Sequence, residues 1–258
     1  MTALRTPAWP AFDRAPQRYA RLAGWAYLAI ILLGACGELV VRGSLVVAGD
    51  AVATSARIAG SPLLWRSAIV GDLLMHLLDL PVIVVLYLLL RPVNRGLALL
   101  ATGLNLVQTA VLAANKLLLV APLSLLGASS ALQAVPLAQR QALALVAIDL
   151  HGHGFAIGLL FFGVACLVRG ALIAGSGYLP RWIGVLIVAA GASYLVNSIA
   201  LLLVPSFASA IFPGVLLPAL VGELSLCLWL IVRGVRLDRW PQPPAAASAD
   251  PRGRDRTP

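Results

Sequence analysis

Ionisable side chains lie inside stretches of this chain that are otherwise apolar enough to cross a membrane. All three histidines are among them, together with five of the ten acidic residues. The set consists of Glu38, Asp72, His76, Asp79, Asp149, His151, His153 and Glu223. Each such group costs roughly 2.5–3.5 kcal/mol or more in the interior of a bilayer, so their number indicates a buried polar site.

The spacing of these residues assigns most of them to one face of each of two helices. Asp72, His76 and Asp79 follow an i, i+4, i+7 pattern and therefore share a face. Asp149 and His153 are four residues apart and share a face of another helix, whereas His151 points about 160° away from Asp149. Counted along each helix at 1.5 Å per residue, these groups fall mainly in the outer half of the membrane. We therefore predict that the two faces meet there.

One chemistry that fits this pattern is acid–base catalysis or a proton relay, in which a desolvated carboxyl group lies beside a histidine. The predicted catalytic residues are Asp72, His76, Asp79, Asp149, His153 and Glu223. Glu223 has no basic residue on its own helical turn, so we expect it to find a partner on another helix.

A metal site is the second interpretation, because two imidazoles with carboxylates suit a divalent ion such as zinc or iron. Its ligands would be His76, Asp79, Asp149 and His153. In the third interpretation, the polar groups only hold the helices together through hydrogen bonds, which are worth about 0.6 kcal/mol on average in membranes. The sequence leaves the cofactor unknown.

Other polar residues are assigned supporting roles. The pocket is predicted to include Glu38, Asn105, Gln108 and Asn197. Glu38 also lies four residues before Arg42, which predicts an ion pair at the outer rim. Lys116 is expected to extend its side chain to the outer interface. Gly154 and Gly158 form a GxxxG pattern, whose usual meaning is close contact between helices.

The elements that must position these groups are membrane-spanning helices. The chain has 258 residues, of which 60% are apolar and 11% charged, whereas soluble domains carry about 25% charged residues. A span needs about 20 mostly apolar residues. Six segments meet this requirement: about 20–41, 65–90, 96–121, about 138–173, 181–204 and 214–235. We predict an all-α integral membrane protein with these six helices in one bundle.

The distribution of charge predicts the orientation and the organisation of the chain. Fourteen of the nineteen basic residues, including Arg169, fall at or beyond the same ends of the spans, which predicts that both termini are cytoplasmic. The arginines form no stripe with interleaved aromatic residues, so the net charge of +9 does not indicate nucleic-acid binding. We divide the chain into a cytoplasmic segment 1–18, a transmembrane domain 19–236 and a disordered cytoplasmic tail 237–258.

Four segments together resemble a bacterial membrane family catalogued as a domain of unknown function, number 4386. They are RPVNRGLALLATGLNLVQTAVLAANKL, IDLHGHGFAIGLLFFGVACLVRG, SGYLPRWIGVLIVAAGASYLVNS and GELSLCLWLIVRGV. The resemblance covers about residues 17–236. It implies a six-helix protein of the bacterial inner membrane. It does not imply a particular activity or a set of catalytic residues.

These observations lead to three hypotheses of function. The first is an intramembrane enzyme that acts on a lipophilic small molecule by acid–base or metal-assisted chemistry. The second is a small proton-coupled transporter or carrier, although no internal repeat supports it. The third is a non-catalytic subunit whose partners are other membrane proteins. The lipid bilayer is the common partner in all three.

Overall fold

The computed structural model describes Phe12, residues 15–127 and residues 134–241. This part of the chain is helical and contains no β-strand. Six helical stretches are long and apolar enough to cross a membrane, as predicted. Spans one to six are Pro16–Leu45, Pro62–Leu90, Arg95–Leu126, Leu137–Gly175, Arg181–Leu203 and Gly214–Val232.

Consecutive spans pack against each other, and span six also packs against span one. The six helices therefore form a ring. The start of span one and the end of span six lie on the same side of the ring. Gln17 joins them, since it donates to the Arg233 carbonyl at 2.6 Å and accepts from the Val235 amide at 2.9 Å. We call this side the terminal face and the opposite side the capped face.

Spans four and five make a close contact through glycine residues on both helices. A Cβ added to Gly184 would lie 2.6 Å from the Gly170 carbonyl oxygen, and one added to Gly191 would lie 2.6 Å from the Gly163 oxygen. The glycines on each helix are seven residues apart, so they fall on one stripe. Glycine at these positions lets the two backbones touch, as is common between membrane helices.

The terminal half of the ring is filled by apolar side chains. Its fully buried members come from several spans and include Leu89, Ile173, Ile183, Leu226 and Leu230. One residue near the start of the predicted disordered tail, Trp240, is part of this core. Trp240 is only 7% exposed, because its ring packs on Phe12 and Tyr178. Residues 242–258 of that tail, and most of the predicted segment 1–18, lie outside the described residues.

The capped face carries a second, smaller core. The surface helix Ala51–Gly60 begins at Asp50, whose side chain accepts from the Ala53 amide at 2.8 Å and so caps the helix. This helix and the helix Leu117–Leu126 pack against the start of span four. Ile58, Trp65 and Leu119 are the largest buried side chains between them.

Span three extends beyond its predicted end at residue 121, because the helix continues through Pro122. The helix Arg95–Asn115 breaks at Lys116 and restarts as Leu117–Leu126, with Pro122 inside the second part. Packing of Leu119 in the capped core holds this second helix in place. Span one also extends beyond the prediction, through a π-helical segment Cys36–Arg42 to Leu45.

Candidate functional site

The buried polar residues form two clusters rather than the single pocket that we predicted. The first, which we call the ionic layer, consists of Glu38, Arg42, Asp72, Lys116 and His151. Asp72 lies about 27 Å along span two from the terminal face, and His151 about 36 Å along span four. With a hydrocarbon core about 30 Å thick, the ionic layer lies near the capped boundary of the membrane.

Asp72 is the centre of the ionic layer. It is 1% exposed and accepts from Arg42 Nη1 at 2.8 Å and from Lys116 Nζ at 3.0 Å. The π-helical segment brings Arg42 to this position, and Gly37 provides the space. A Cβ at Gly37 would lie 2.7 Å from Asp72 Oδ1. Spans one, two and three are thus tied together by one carboxylate.

The predicted ion pair between Glu38 and Arg42 is confirmed, with Arg42 Nε 2.6 Å from Glu38 Oε2. The Glu38 side chain is 62% exposed, so it lies at the rim. The prediction for Lys116 is wrong, because Lys116 is 3% exposed and its amine contacts Asp72 and also His151 Nε2, 3.2 Å away. A buried carboxylate attracts the cation more strongly than the interface does.

The facing of span four is the reverse of our prediction. His151 is buried, whereas Asp149 and His153 lie on the exposed face, where His153 Nδ1 is 3.0 Å from the Asp149 carbonyl. The small residues of span four decide this rotation. A Cβ at Gly154 would overlap the Asn115 side chain, and one at Gly158 would lie 2.5 Å from Leu112. The GxxxG contact with span three is therefore confirmed.

The second cluster surrounds a central cavity of about 130 Å³ inside the ring. Spans one, two, three, four and six all contribute to its wall. Its polar lining residues are Tyr27, His76, Asp79, Gln108, Arg169 and Glu223. Asp79 and Glu223 lie about 16 Å and 14 Å along their helices from the terminal face, near the middle of the membrane.

Asp79 is held by donors from span three. Its Oδ2 atom accepts from the Thr109 hydroxyl at 2.5 Å and from Asn105 Nδ2 at 3.1 Å. Asn105 in turn accepts from Arg169 Nη2 at 2.6 Å. Both hydrogen bonds to the carboxyl group reach the same oxygen, so Oδ1 has no hydrogen-bond partner among the described residues.

Glu223 finds its partner on another helix, as expected. The Tyr194 hydroxyl on span five donates to Glu223 Oε1 at 2.5 Å. Tyr27 of span one faces the same carboxyl group. The charges of Glu223, Asp79 and Arg169 are close enough to interact. The cavity thus combines two carboxyl groups with one guanidinium.

His76 lies between the two clusters. It is 5% exposed and lines the cavity, one helical turn from Asp72 and just under one turn from Asp79. Its Nε2 atom is buried and has no hydrogen-bond partner in the described part of the chain. A buried nitrogen without a protein partner is uncommon in folded proteins, and such atoms often bind a water molecule or a ligand.

The four supporting residues predicted from the sequence do not all lie at the central cavity. Asn105 and Gln108 are buried and hydrogen-bonded to each other at 2.8 Å, next to Asp79. Asn197 is half-buried and does not line the central cavity. Glu38 belongs to the ionic layer.

The four ligands that we predicted for a metal ion do not come together. His76 and Asp79 line the cavity, whereas Asp149 and His153 are on the exposed face of span four. Within residues 15–127 and 134–241, no three side chains of His, Cys, Asp or Glu converge in a way that could hold a metal ion.

Arg169 is the main residue that the sequence analysis misplaced, since we counted it among the cytoplasmic arginines. It is 4% exposed, bonded to Asn105, with its guanidinium 6.0 Å from the centre of the Phe162 ring. Span four continues to Gly175, about one and a half turns beyond Arg169. The apolar residues 171–173 that follow it were the available signal. The partner hydroxyls of Thr109 and Tyr194 gave no signal, because such residues are common in spans.

The fold and the two clusters define the class: a multi-pass helical membrane protein with buried polar residues. Residues 22–234 match the family described as "Domain of unknown function (DUF4386)", and the chain belongs to that family. A protein of Archaeoglobus fulgidus described as "Uncharacterized protein" is 28% identical over 170 residues, which cover 66% of this chain and 85% of that protein. No solved structure matches the chain.

Proposed function

We propose that this protein is an intramembrane enzyme that acts on a lipophilic substrate by acid–base chemistry in the central cavity. The observation that carries the proposal is that two carboxyl groups, Asp79 and Glu223, line one cavity near the middle of the membrane. Both are positioned by hydroxyl donors from neighbouring helices. Paired acids and bases held in a water-poor site are a common arrangement for proton transfer.

In this proposal the residues have distinct roles. Asp79 accepts or delivers the proton, since its Oδ1 atom carries no hydrogen bond from the described residues. Glu223 is the second carboxyl group, and Tyr194 fixes its orientation. Arg169 is a positioning residue that acts on Asp79 through Asn105. The ionic layer, including Asp72, has a structural role.

The surroundings of the cavity support a substrate that comes from the bilayer. Toward the terminal face lies the large apolar core, and toward the capped face lie the ionic layer and the capped core. Phe155 lines the cavity and is also 37% exposed on the surface of the bundle. We propose that lipophilic molecules enter beside Phe155. The apolar core on the terminal side is the reason that we favour an enzyme over a carrier.

Acid–base chemistry is favoured over metal-assisted chemistry because the predicted ligands are divided between the cavity and the exposed face of span four. The remaining pair in the cavity, His76 and Asp79, does not converge with Glu223 to give the three protein ligands typical of a catalytic zinc site.

We also propose that the terminal face is cytoplasmic, in the inner membrane of a bacterium. Arg91, Arg95, Arg181 and Arg233 lie at the terminal ends of their spans. Arg42, Lys116 and Arg169 are buried in the bundle and no longer count as loop charges. This leaves the excess of exposed arginine on the terminal side, which is the usual cytoplasmic pattern.

The proposed chemistry predicts exchange with solvent protons. Membranes that contain the protein are incubated in D₂O, and the extracted lipophilic molecules are analysed by mass spectrometry. We expect a species that is converted or carries carbon-bound deuterium only when the wild-type protein is present. Asp79→Asn or Glu223→Gln should lower its rate of formation by about 10²–10⁴-fold, the usual contribution of a general acid or base.

The matched control is Asp238→Asn, which changes a carboxyl group that is 75% exposed on the terminal face and should leave the rate unchanged. Each variant is first shown to elute as the wild-type protein does in size-exclusion chromatography. A wild-type protein that yields no such species, or folded cavity variants that match it, would contradict the proposal.

A further inference from the structure

We infer that the substrate of the central cavity is an apolar primary amine, bound as its ammonium ion beside Asp79 and Glu223. This inference rests on the proposed function, because it names the chemical class of the molecule that the same cavity takes.

The charge of the cavity is the first observation behind this inference. Its wall contains two carboxyl groups, those of Asp79 and Glu223, and one cation, Arg169. When all three are ionised the sum is one negative charge, and an uncompensated charge is costly at this depth in the membrane. One further positive charge balances the site. A proton supplies it in the empty cavity, and an ammonium group supplies it when a ligand is bound.

Two polar atoms without a hydrogen-bond partner are the second observation. Asp79 Oδ1 has no donor among the described residues, since both of its donors reach Oδ2. His76, which is 5% exposed and lines the same cavity, has a buried Nε2 atom without a partner in the described part of the chain. An ammonium group brings three N–H donors, which can be accepted by Asp79 Oδ1 and, when the His76 ring carries its proton on Nδ1, by His76 Nε2.

The apolar wall indicates what the amine carries. The rings of Tyr27, Phe155 and Phe162 line the cavity, and aromatic faces attract cations within about 6 Å. Arg169 already lies over Phe162, which leaves the other two rings for the ligand. The volume of about 130 Å³ is comparable to a cavity of about 150 Å³ that binds benzene. The group next to the nitrogen is therefore about the size of one ring.

Transfer of a proton inside the cavity allows the amine to cross the lipid in its neutral form. A neutral amine crosses the apolar region without charge, and in the cavity its nitrogen takes the proton of one carboxyl group. The N–H bond forms as the O–H bond breaks, which leaves an ammonium ion and a carboxylate. The total charge of the site is unchanged, so binding carries no net charge into the membrane.

The inference is tested with benzylamine and with benzyl alcohol, which has nearly the same size but no ammonium form. The full-length protein in detergent is unfolded by heat at increasing concentrations of each compound. We expect benzylamine to raise the midpoint of unfolding, Tm, in a saturable way by about 3 °C or more. Benzyl alcohol should give no saturable increase.

Asp79→Asn and Glu223→Gln should each weaken the apparent affinity for benzylamine at least tenfold, because each removes the charge that the ammonium ion balances. Asp238→Asn should bind as the wild-type protein does. Two carboxyl variants are used so that poor folding of one leaves the other to decide. An equal response to benzyl alcohol, no response to benzylamine, or full binding by folded cavity variants would overturn the inference.

The outcome also separates this inference from the proposed function. If benzylamine fails to bind while conversion of a lipophilic species still depends on Asp79 and Glu223, the amine assignment is wrong and the proposed chemistry stands. If benzylamine binds through both carboxyl groups and no conversion is found, the cavity is a binding site and the enzyme proposal fails.

Discussion

Asp72→Ala is expected to lower the free energy of unfolding by about 3–5 kcal/mol, the usual cost of removing one partner from a buried ion pair. The effect is large because Arg42 and Lys116 both depend on this carboxylate, and both are buried in the bundle. At about 2–4 °C per kcal/mol for a chain of this size, Tm should fall by about 10 °C. The measurement is thermal unfolding in detergent.

Two further variants make this result interpretable. Asp238→Ala removes an exposed carboxylate and should change Tm by little. The triple variant with Arg42→Leu, Asp72→Leu and Lys116→Met replaces the charges by apolar side chains, which is often neutral or stabilising for buried ion pairs. It should therefore recover most of the loss. If Asp72→Ala unfolds at the wild-type temperature, the ionic layer does not hold the spans together.

Gly184→Leu is the second substitution with a large expected effect. The position allows no side chain, because a Cβ would lie 2.6 Å from both the Gly170 carbonyl oxygen and the Ala174 nitrogen. Both are backbone atoms of span four, so the helices must separate. Overpacking typically costs about 1–3 kcal/mol, and we expect a cost of about 3 kcal/mol or more here, with a lower yield of folded protein.

The separation of spans four and five should also disturb the cavity, since Arg169 precedes Gly170 and Tyr194 lies on span five. The matched control is Gly103→Leu, at an exposed position of span three where nothing lies within 4 Å of an added Cβ. It should leave Tm and yield close to wild type. Equal behaviour of the two variants in thermal unfolding would show that the glycine contact does not govern the packing of these spans.

The sequence predicted the positions of the spans well and the contacts between spans poorly. Hydropathy and length located all six helices to within a few residues in most cases, because the cost of exposing backbone polar groups in lipid leaves few alternatives. The exceptions have local causes. Span three was expected to end at residue 121, but the helix Leu117–Leu126 continues through Pro122, since Leu119 packs in the capped core.

Arg169 shows a different limit of the sequence. A basic residue near the end of an apolar stretch is usually at the interface, and the apolar residues 171–173 were only a weak sign against it. The contact with Asn105 of span three shows that it is buried. The same holds for Tyr194, whose importance depends on Glu223 of another helix. A contact between residues on different helices cannot be predicted from the spacing of residues along one helix.

The sequence by itself determined that this protein is a six-helix membrane protein with buried ionisable groups, and that Asp72, His76 and Asp79 share one helix face. Helical periodicity fixes the angles between residues of one helix, but not how the helix is rotated in the bundle. For span four, the close fit of Gly154 and Gly158 against span three decided the rotation and turned His151 inward instead of His153. Tertiary packing also divided the polar residues into an ionic layer and a central cavity, because each buried charge is stabilised by a partner from another span.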